Sequence, residues 1–158
     1  MDIWTERLER RHLVIVERWV GRTAGALTPN DLPDAAEALA DWFSRGAAEP
    51  GRLDCLLRVY DTPVGLASLR RSAEADTAEL SLLLCEVGYN PLRTATYAAM
   101  RMLDRAFSEL GFARVRLRLA QASGEIPGAF RRMGFAPVGE NDILEVDRET
   151  FHSRKYLF

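Results

Sequence analysis

The sequence has almost no lysine: Lys155 is the single lysine among 21 basic residues, and 23 acidic residues bring the formal net charge to -2. That balance excludes an extended polyelectrolyte, which needs high net charge and few apolar residues. It also excludes bulk-charge binding to nucleic acid. Histidine is scarce. His12 and His152 lie far apart with no cysteine or acidic partner at ligand spacing, which reads as two surface histidines and no metal site. Cys55 and Cys85 are the only cysteines, and both sit in apolar strand-like runs, which reads as buried free thiols. Seven prolines and eleven glycines are too few for a linker-dominated chain, and no repeat is visible. Apolar runs stay short, as in Leu82-Leu83-Leu84-Cys85, against the roughly 20 residues a bilayer span needs. The opening stretch Met1 to Arg7 lacks the basic-then-apolar pattern of a signal peptide. The expectation is therefore a cytoplasmic protein with neither membrane nor nucleic acid as partner.

What remains is an ordinary globular composition: 158 residues, 47% hydrophobic and 28% charged. One core is enough for that length, so a single domain over residues 1–158 is expected. The arginine bias reads as genome base composition, because no block of like charge accompanies it.

Alternation over Ile3 to Glu9 predicts a first strand. Leu13, Val16, Trp19 and Val20 at helical spacing predict a short helix from His12 to Val20. Ala35, Leu39, Trp42 and Phe43 predict a second, from about Asp34 to Gly46, after a loop over Gly21 to Pro33. Leu53 to Tyr60 and Gly65 to Arg71 read as strands joined by a turn at Asp61-Thr62-Pro63-Val64, and Thr77 to Cys85 as the next strand. Leu92, Ala95, Ala99, Met102, Leu103 and Ala106 then share one face of a long helix, which Gly111 ends. Arg114 to Leu119 reads as a strand with Val115 and Leu117 inward and Arg114, Arg116 and Arg118 outward. A short helix over Pro127 to Met133 and strands near Phe135 to Val138 and Ile143 to Glu149 complete the chain. This order predicts an α/β fold: a mixed β-sheet, made of an antiparallel meander plus one β-α-β crossover, flanked by helices.

The chemically informative point is where the strand Thr77 to Cys85 gives way to the long helix. Asn90 and Pro91 form an N-cap and first-turn pair. The N–H groups of Leu92 to Ala95 would then point beyond the strand end, a ready site for a pyrophosphate. Arg93, Thr94 and Thr96 would add a guanidinium fork and hydroxyls. On the capping signal alone, the plain alternative is a capped helix that binds nothing.

Four strings occur in the order and spacing of one family: Thr5-Glu6-Arg7-Leu8-Glu9-Arg10, Ala78-Glu79-Leu80, the run Ala106 to Val115, and Phe130-Arg131-Arg132-Met133-Gly134-Phe135. Together they resemble the Gcn5-related N-acetyltransferases, closest to the ribosomal-protein N-terminal acetyltransferases, over nearly the whole chain. The resemblance implies acetyl-CoA as cofactor, an amine-bearing acceptor, and direct transfer of the acetyl group to a primary amine. It implies that the fourth strand splays from the fifth and that the pantetheine arm lies in the gap, paired with backbone at Leu82, Leu83 and Leu84. The family's pyrophosphate loop would fall on Asn90, Arg93, Thr94, Ala95 and Thr96. That loop usually reads Q/R-x-x-G-x-G/A, and here it has no glycine, with Ala95 at the last small position.

The resemblance also implies catalytic residues. Glu79 is the implied base, directly or through water, because a protonated amine has no lone pair for attack. A part-buried carboxylate would suit that role; the bland alternative is an ion pair with Arg70. The family's usual acid, a tyrosine four residues before the closing Gly-Phe, is Phe130 here. Ser123, near the position of a family asparagine, is the implied partial substitute, and Tyr97 and Tyr156 are further hydroxyls. Cys85, Trp19, Trp42 and Phe43 read as core.

Two functions follow. One is an N-acetyltransferase whose acceptor is open among a peptide N-terminus, an amino sugar or aminoglycoside, and a polyamine, with a longer acyl-CoA as a variant. The other is a degenerate acetyltransferase fold serving as a non-catalytic binding or regulatory module, motivated by the missing glycines and Phe130. Asp31, Asp34, Glu37, Glu74 and Asp76 read first as solvated surface and second as attraction for a cationic acceptor. Edge strands near the C-terminus leave room for a homodimer.

Overall fold

The computed structural model describes residues 2–21, 28, 31–85, 90–119, 125–139 and 143–157. The chain opens with β1 (Ile3–Arg7) and a helical stretch whose centre is α1 (Leu13–Val16), flanked by tight 3-10 turns at Arg10–His12 and Glu17–Trp19. The expected continuous helix is thus broken. Three consecutive β-branched residues, Val14, Ile15 and Val16, make up most of the α-helical part, and such residues lose side-chain freedom in a helix. A second helix, α2 (Leu39–Ala48), follows a 3-10 turn at Ala36–Ala38.

The meander is β2 (Leu53–Val59), β3 (Thr62–Arg71) and β4 (Thr77–Leu84). Helix α3 (Pro91–Asp104) runs on into a π-turn at Arg105–Glu109 and returns the chain to β5 (Arg114–Arg118). Then come α4 (Ile126–Arg132), β6 (Ala136–Pro137), β7 (Ile143–Asp147) and α5 (Arg148–Arg154). The strands form one seven-stranded sheet in the order β1-β2-β3-β4-β5-β7-β6, with β4 and β5 parallel and every other pair antiparallel. The expected mixed sheet with one crossover is what forms.

The sequence missed α5, extending the last strand to Glu149 instead. Asp147 ends that strand and caps the helix, its carboxylate accepting from the Thr150 N–H at 2.6 Å. Helix α5 buries Phe151 with its ring 5.8 Å from that of Phe107. Gly134 lies beneath it with φ 111, and a Cβ there would fall 2.6 Å from Thr150 Cγ2.

The two sheet faces are covered differently. One carries an uninterrupted apolar cluster that includes Leu57, Leu69, Leu80, Leu82, Val115 and Leu117, packed under Ala98, Met102 and Leu103 of α3. The other carries a smaller cluster, Leu56, Leu66 and Leu83 against Val16, Trp19, Leu39 and Trp42. Cys55 and Cys85 are buried and form no disulfide, as expected, and burial pushes the Cys55 thiol up to about 12. His12, expected at the surface, is buried. Its Nδ1 accepts from the Glu9 N–H at 2.9 Å, and Nε2 lies 3.3 Å from Glu6 Oε1, so it closes the turn that leads into α1.

Candidate active site

The parallel pairing of β4 with β5 lasts only three positions, Thr77 with Arg114, Ala78 with Val115 and Glu79 with Arg116. Beyond Glu79 the strands part. The opening is a cleft of about 300 Å3 with Glu79, Leu80 and Ser81 on one wall and Arg116, Leu117 and Arg118 on the other. Thr28 and Ile143 complete it.

Strand alternation decides which backbone groups face the cleft. The Cys85 N–H donates to Val64 O and the Ser72 N–H to Thr77 O, so the odd-numbered residues of β4 spend their backbone groups on β3. The groups of Leu80, Leu82 and Leu84 therefore point toward β5 and the opening. Leu83, expected beside Leu82 and Leu84 as a backbone contact in the gap, instead faces β3 with its backbone, opposite Leu66, and buries its side chain among Trp42 and its neighbours. The Leu82 N–H is already engaged: it donates to Thr28 Oγ1 at 2.8 Å, a buried bond between residues 54 apart in sequence.

Gly65 sets the distance between β3 and β4 here. A Cβ at that position would lie 2.0 Å from Leu83 O, so only glycine allows the approach.

At the head of α3, Asn90 and Pro91 form the expected cap, but fewer donors are left than the sequence suggests. Pro91 has no N–H. The Arg93 N–H donates to Asn90 Oδ1 at 3.2 Å, and the Thr94 N–H to Asn90 O at 2.9 Å. The two hydroxyls expected to face a phosphate are turned inward. Thr94 Oγ1 donates to Asn90 O and Thr96 Oγ1 to Leu92 O, and both side chains are buried with Ala95. A threonine within a helix can always satisfy its hydroxyl on the preceding turn, which spacing alone does not reveal. Arg93 is exposed. Ser123 lies outside the described residues.

Glu79 lines the cleft but is exposed, not part-buried as expected. Among the described residues no hydrogen bond or ion pair holds its carboxylate. The proposed structural partner, Arg70, is its register neighbour but points elsewhere, to Glu49 at 2.9 Å and Asp31 at 3.3 Å. Asp31 also meets Arg52 at 2.9 Å and accepts from Trp42 Nε1 at 3.0 Å. Burial works to raise the Asp31 carboxyl, yet the bonds from Arg52 and Trp42 hold it below the usual range. Asp31 is thus spent on arginine rather than left to attract a cation.

On the facing wall, Arg116 is bound by Glu145, while Arg118 is exposed and, among the described residues, makes no side-chain hydrogen bond or ion pair. Phe130, at the position of the family's acid, is fully buried, edge-on to Phe135 at 5.7 Å. Tyr156 is 82% exposed at the far end of the chain, on the turn after α5. The sequence missed Thr28, Ser81, Arg116 and Arg118 as cleft residues. Pairing β4 with β5 on paper would have set the outward arginines opposite Glu79 and Ser81; no local signal marks Thr28.

No protein-family model matches the sequence, and no curated protein matches it. Solved structures do. A point variant of spermidine N-acetyltransferase from Vibrio cholerae superposes with a TM-score of 0.78 at 14% identity, over 97% of this chain and 98% of that one. A chimera of the Vibrio cholerae and human enzymes superposes with a TM-score of 0.79 at 14% identity, over 98% of this chain and 100% of that one. A dodecameric form of the Vibrio cholerae enzyme gives 0.76 at 14% identity, over 96% and 97%. The chain shares the fold of these acetyltransferases. These neighbours lend no support to the finer resemblance to the ribosomal-protein acetyltransferases. No described helix is long and apolar enough to cross a membrane.

Proposed function

We propose that the protein is an N-acetyltransferase that moves an acetyl group from acetyl-CoA to a primary amine. The observation that carries this reading is the early end of β4–β5 pairing, which leaves a cleft bordered by an unpaired strand edge. Ile143 offers an apolar wall to a pantetheine arm, and the backbone edge of Leu80, Leu82 and Leu84 offers it hydrogen bonds; these features fit the group. Acetyl-CoA would supply an acyl thioester for attack by the amine. Glu79, unpaired and exposed to the cleft, would take the ammonium proton directly or through water and so free the attacking lone pair. The Leu82 N–H would polarise the thioester oxygen once Thr28 Oγ1 yields it. Asn90, Arg93 and the first turn of α3 would face the pyrophosphate, with the Arg93 guanidinium as the main charged contact. Phe130 donates no proton, so the departing thiolate would be protonated by solvent or by another hydroxyl such as that of Ser123.

One observation favours the second reading, a non-catalytic module: the Leu82, Arg93 and Thr94 N–H groups already have partners inside the protein. Calorimetric titration with acetyl-CoA separates the two. Binding in the micromolar range with turnover of a simple amine supports the transferase, and no heat at high micromolar protein leaves the module.

A further inference from the structure

We infer that the acceptor is an amine that also carries an anionic group, and that Arg118 is the residue that selects it. This rests on the transferase reading for its chemistry but on separate observations for its specificity.

The charges facing the cleft set the argument. Glu79 and Arg116 are level with each other across the paired end. Arg116 is paired with Glu145, which also lies 3.8 Å from Arg114, and Glu74 and Glu79 act on Arg116 more weakly. Three acidic groups on the α1–α2 side are engaged as well: Asp31 and Glu49 by Arg52 and Arg70, and Asp54 by Arg52 and the Ser68 hydroxyl. Two charged side chains on the cleft walls therefore remain without a partner among the described residues, one of each sign: Glu79 at the closed end and Arg118 nearer the mouth. Arg118 is two residues beyond Arg116 on the same side of β5, a separation of about 7 Å along the strand.

A polycation would find one carboxylate and then an uncompensated guanidinium along its length. A zwitterion finds both charges answered: its ammonium group at Glu79, where its proton must leave, and its carboxylate at Arg118, which can grip it through two parallel N–H bonds. The pairing also discriminates against a second amine, because like charge at Arg118 opposes entry.

The test compares three amines as acceptors for acetyl-CoA and as ligands in calorimetry without it: 6-aminohexanoate, hexylamine and spermidine. The expected result is a kcat/KM for 6-aminohexanoate about tenfold above that for hexylamine, the size of one charge-assisted hydrogen bond, with spermidine poorest. In Arg118→Ala that preference should fall to within about twofold while KM for acetyl-CoA stays unchanged; in Arg118→Glu it should reverse toward spermidine. Equal turnover of the three amines, or a preference for spermidine in the unaltered protein, overturns the inference and leaves the transferase standing. A rise in KM for acetyl-CoA in both variants with the acceptor preference intact also overturns it, by assigning Arg118 to the cofactor. Binding of 6-aminohexanoate but not hexylamine, lost in Arg118→Ala, with no acetyl transfer to any amine, supports the acceptor chemistry and overturns the transferase instead.

Discussion

The two faces of the sheet are built for different ends. Under α3 the side chains of β2 to β5 are apolar without exception in the central cluster, and Phe130, Phe107 and Phe151 seal it. On the α1–α2 side the same strands turn out Asp54, Ser68, Arg70, Glu79, Ser81, Arg116 and Arg118, and only a small cluster around Trp19 and Trp42 is dry. The first face supplies stability. The second spends some of that stability on charges and an opening, because groups that bind a polar substrate cannot also be buried against each other.

That contrast can be broken at its strong side first. Phe130→Ala should cost about 3–5 kcal/mol in denaturant unfolding, since a fully buried aromatic leaves a cavity the core cannot close. Gly65→Ala should cost about 1–3 kcal/mol and weaken acetyl-CoA binding together, because the added methyl must push β4 away at Leu83. Binding unchanged in that variant would mean that β4 does not set the cleft.

On the polar side every effect should stay below that of Phe130→Ala. Arg52 is 3% exposed and holds Asp31 and Asp54, so Arg52→Ala should cost about 2–3 kcal/mol, at or below the low end for a broken buried pair because Asp31 remains 39% exposed. Acid should erode the same network. Asp31, Glu49 and Glu6 are all held below their ordinary values, Glu49 chiefly by the bond from Arg70 and Glu6 chiefly by that from Arg58. A depressed carboxylate stabilises the fold fully above its unfolded value and loses that contribution as pH falls through its folded value. Unfolding midpoints should therefore hold from pH 7 to 5 and drop below about pH 4, within and beneath the ordinary carboxylate range. Asp31→Asn should make the drop shallower. Glu79→Gln should be nearly silent in stability, within about 0.5 kcal/mol for an exposed and unpartnered side chain. Its turnover should nonetheless fall by about a hundredfold with acetyl-CoA affinity retained; unaltered turnover would remove Glu79 from the chemistry.

Much of the fold was legible because it rests on local periodicity. The alternation of β2 to β5, the apolar stripe of α3, the Asn90-Pro91 cap and the mixed sheet all follow from neighbours a few residues apart. Helix α5 was missed where a strand ends on the same aspartate that caps the next helix. His12 was misplaced because burial of a lone polar residue depends on what folds over it. The site was half legible. The resemblance implied a splay between the fourth and fifth strands, which is there, and it pointed to Glu79, which lines the resulting cleft. The inward turn of Thr94 and Thr96, and the facing of Leu83 toward β3, required the actual hydrogen bonds.

The sequence by itself determined the order of elements, the apolar side of each and the residue types on offer, because each is written in spacings of two to four residues. Only the tertiary structure decided that β4 and β5 separate after three pairs, that Thr28 reaches Leu82, and that Arg70 and Arg116 are ion-paired while Glu79 and Arg118 have no ion-pair partner among the described residues. Those outcomes depend on contacts between distant segments competing for the same partners, and no local pattern encodes which competitor wins.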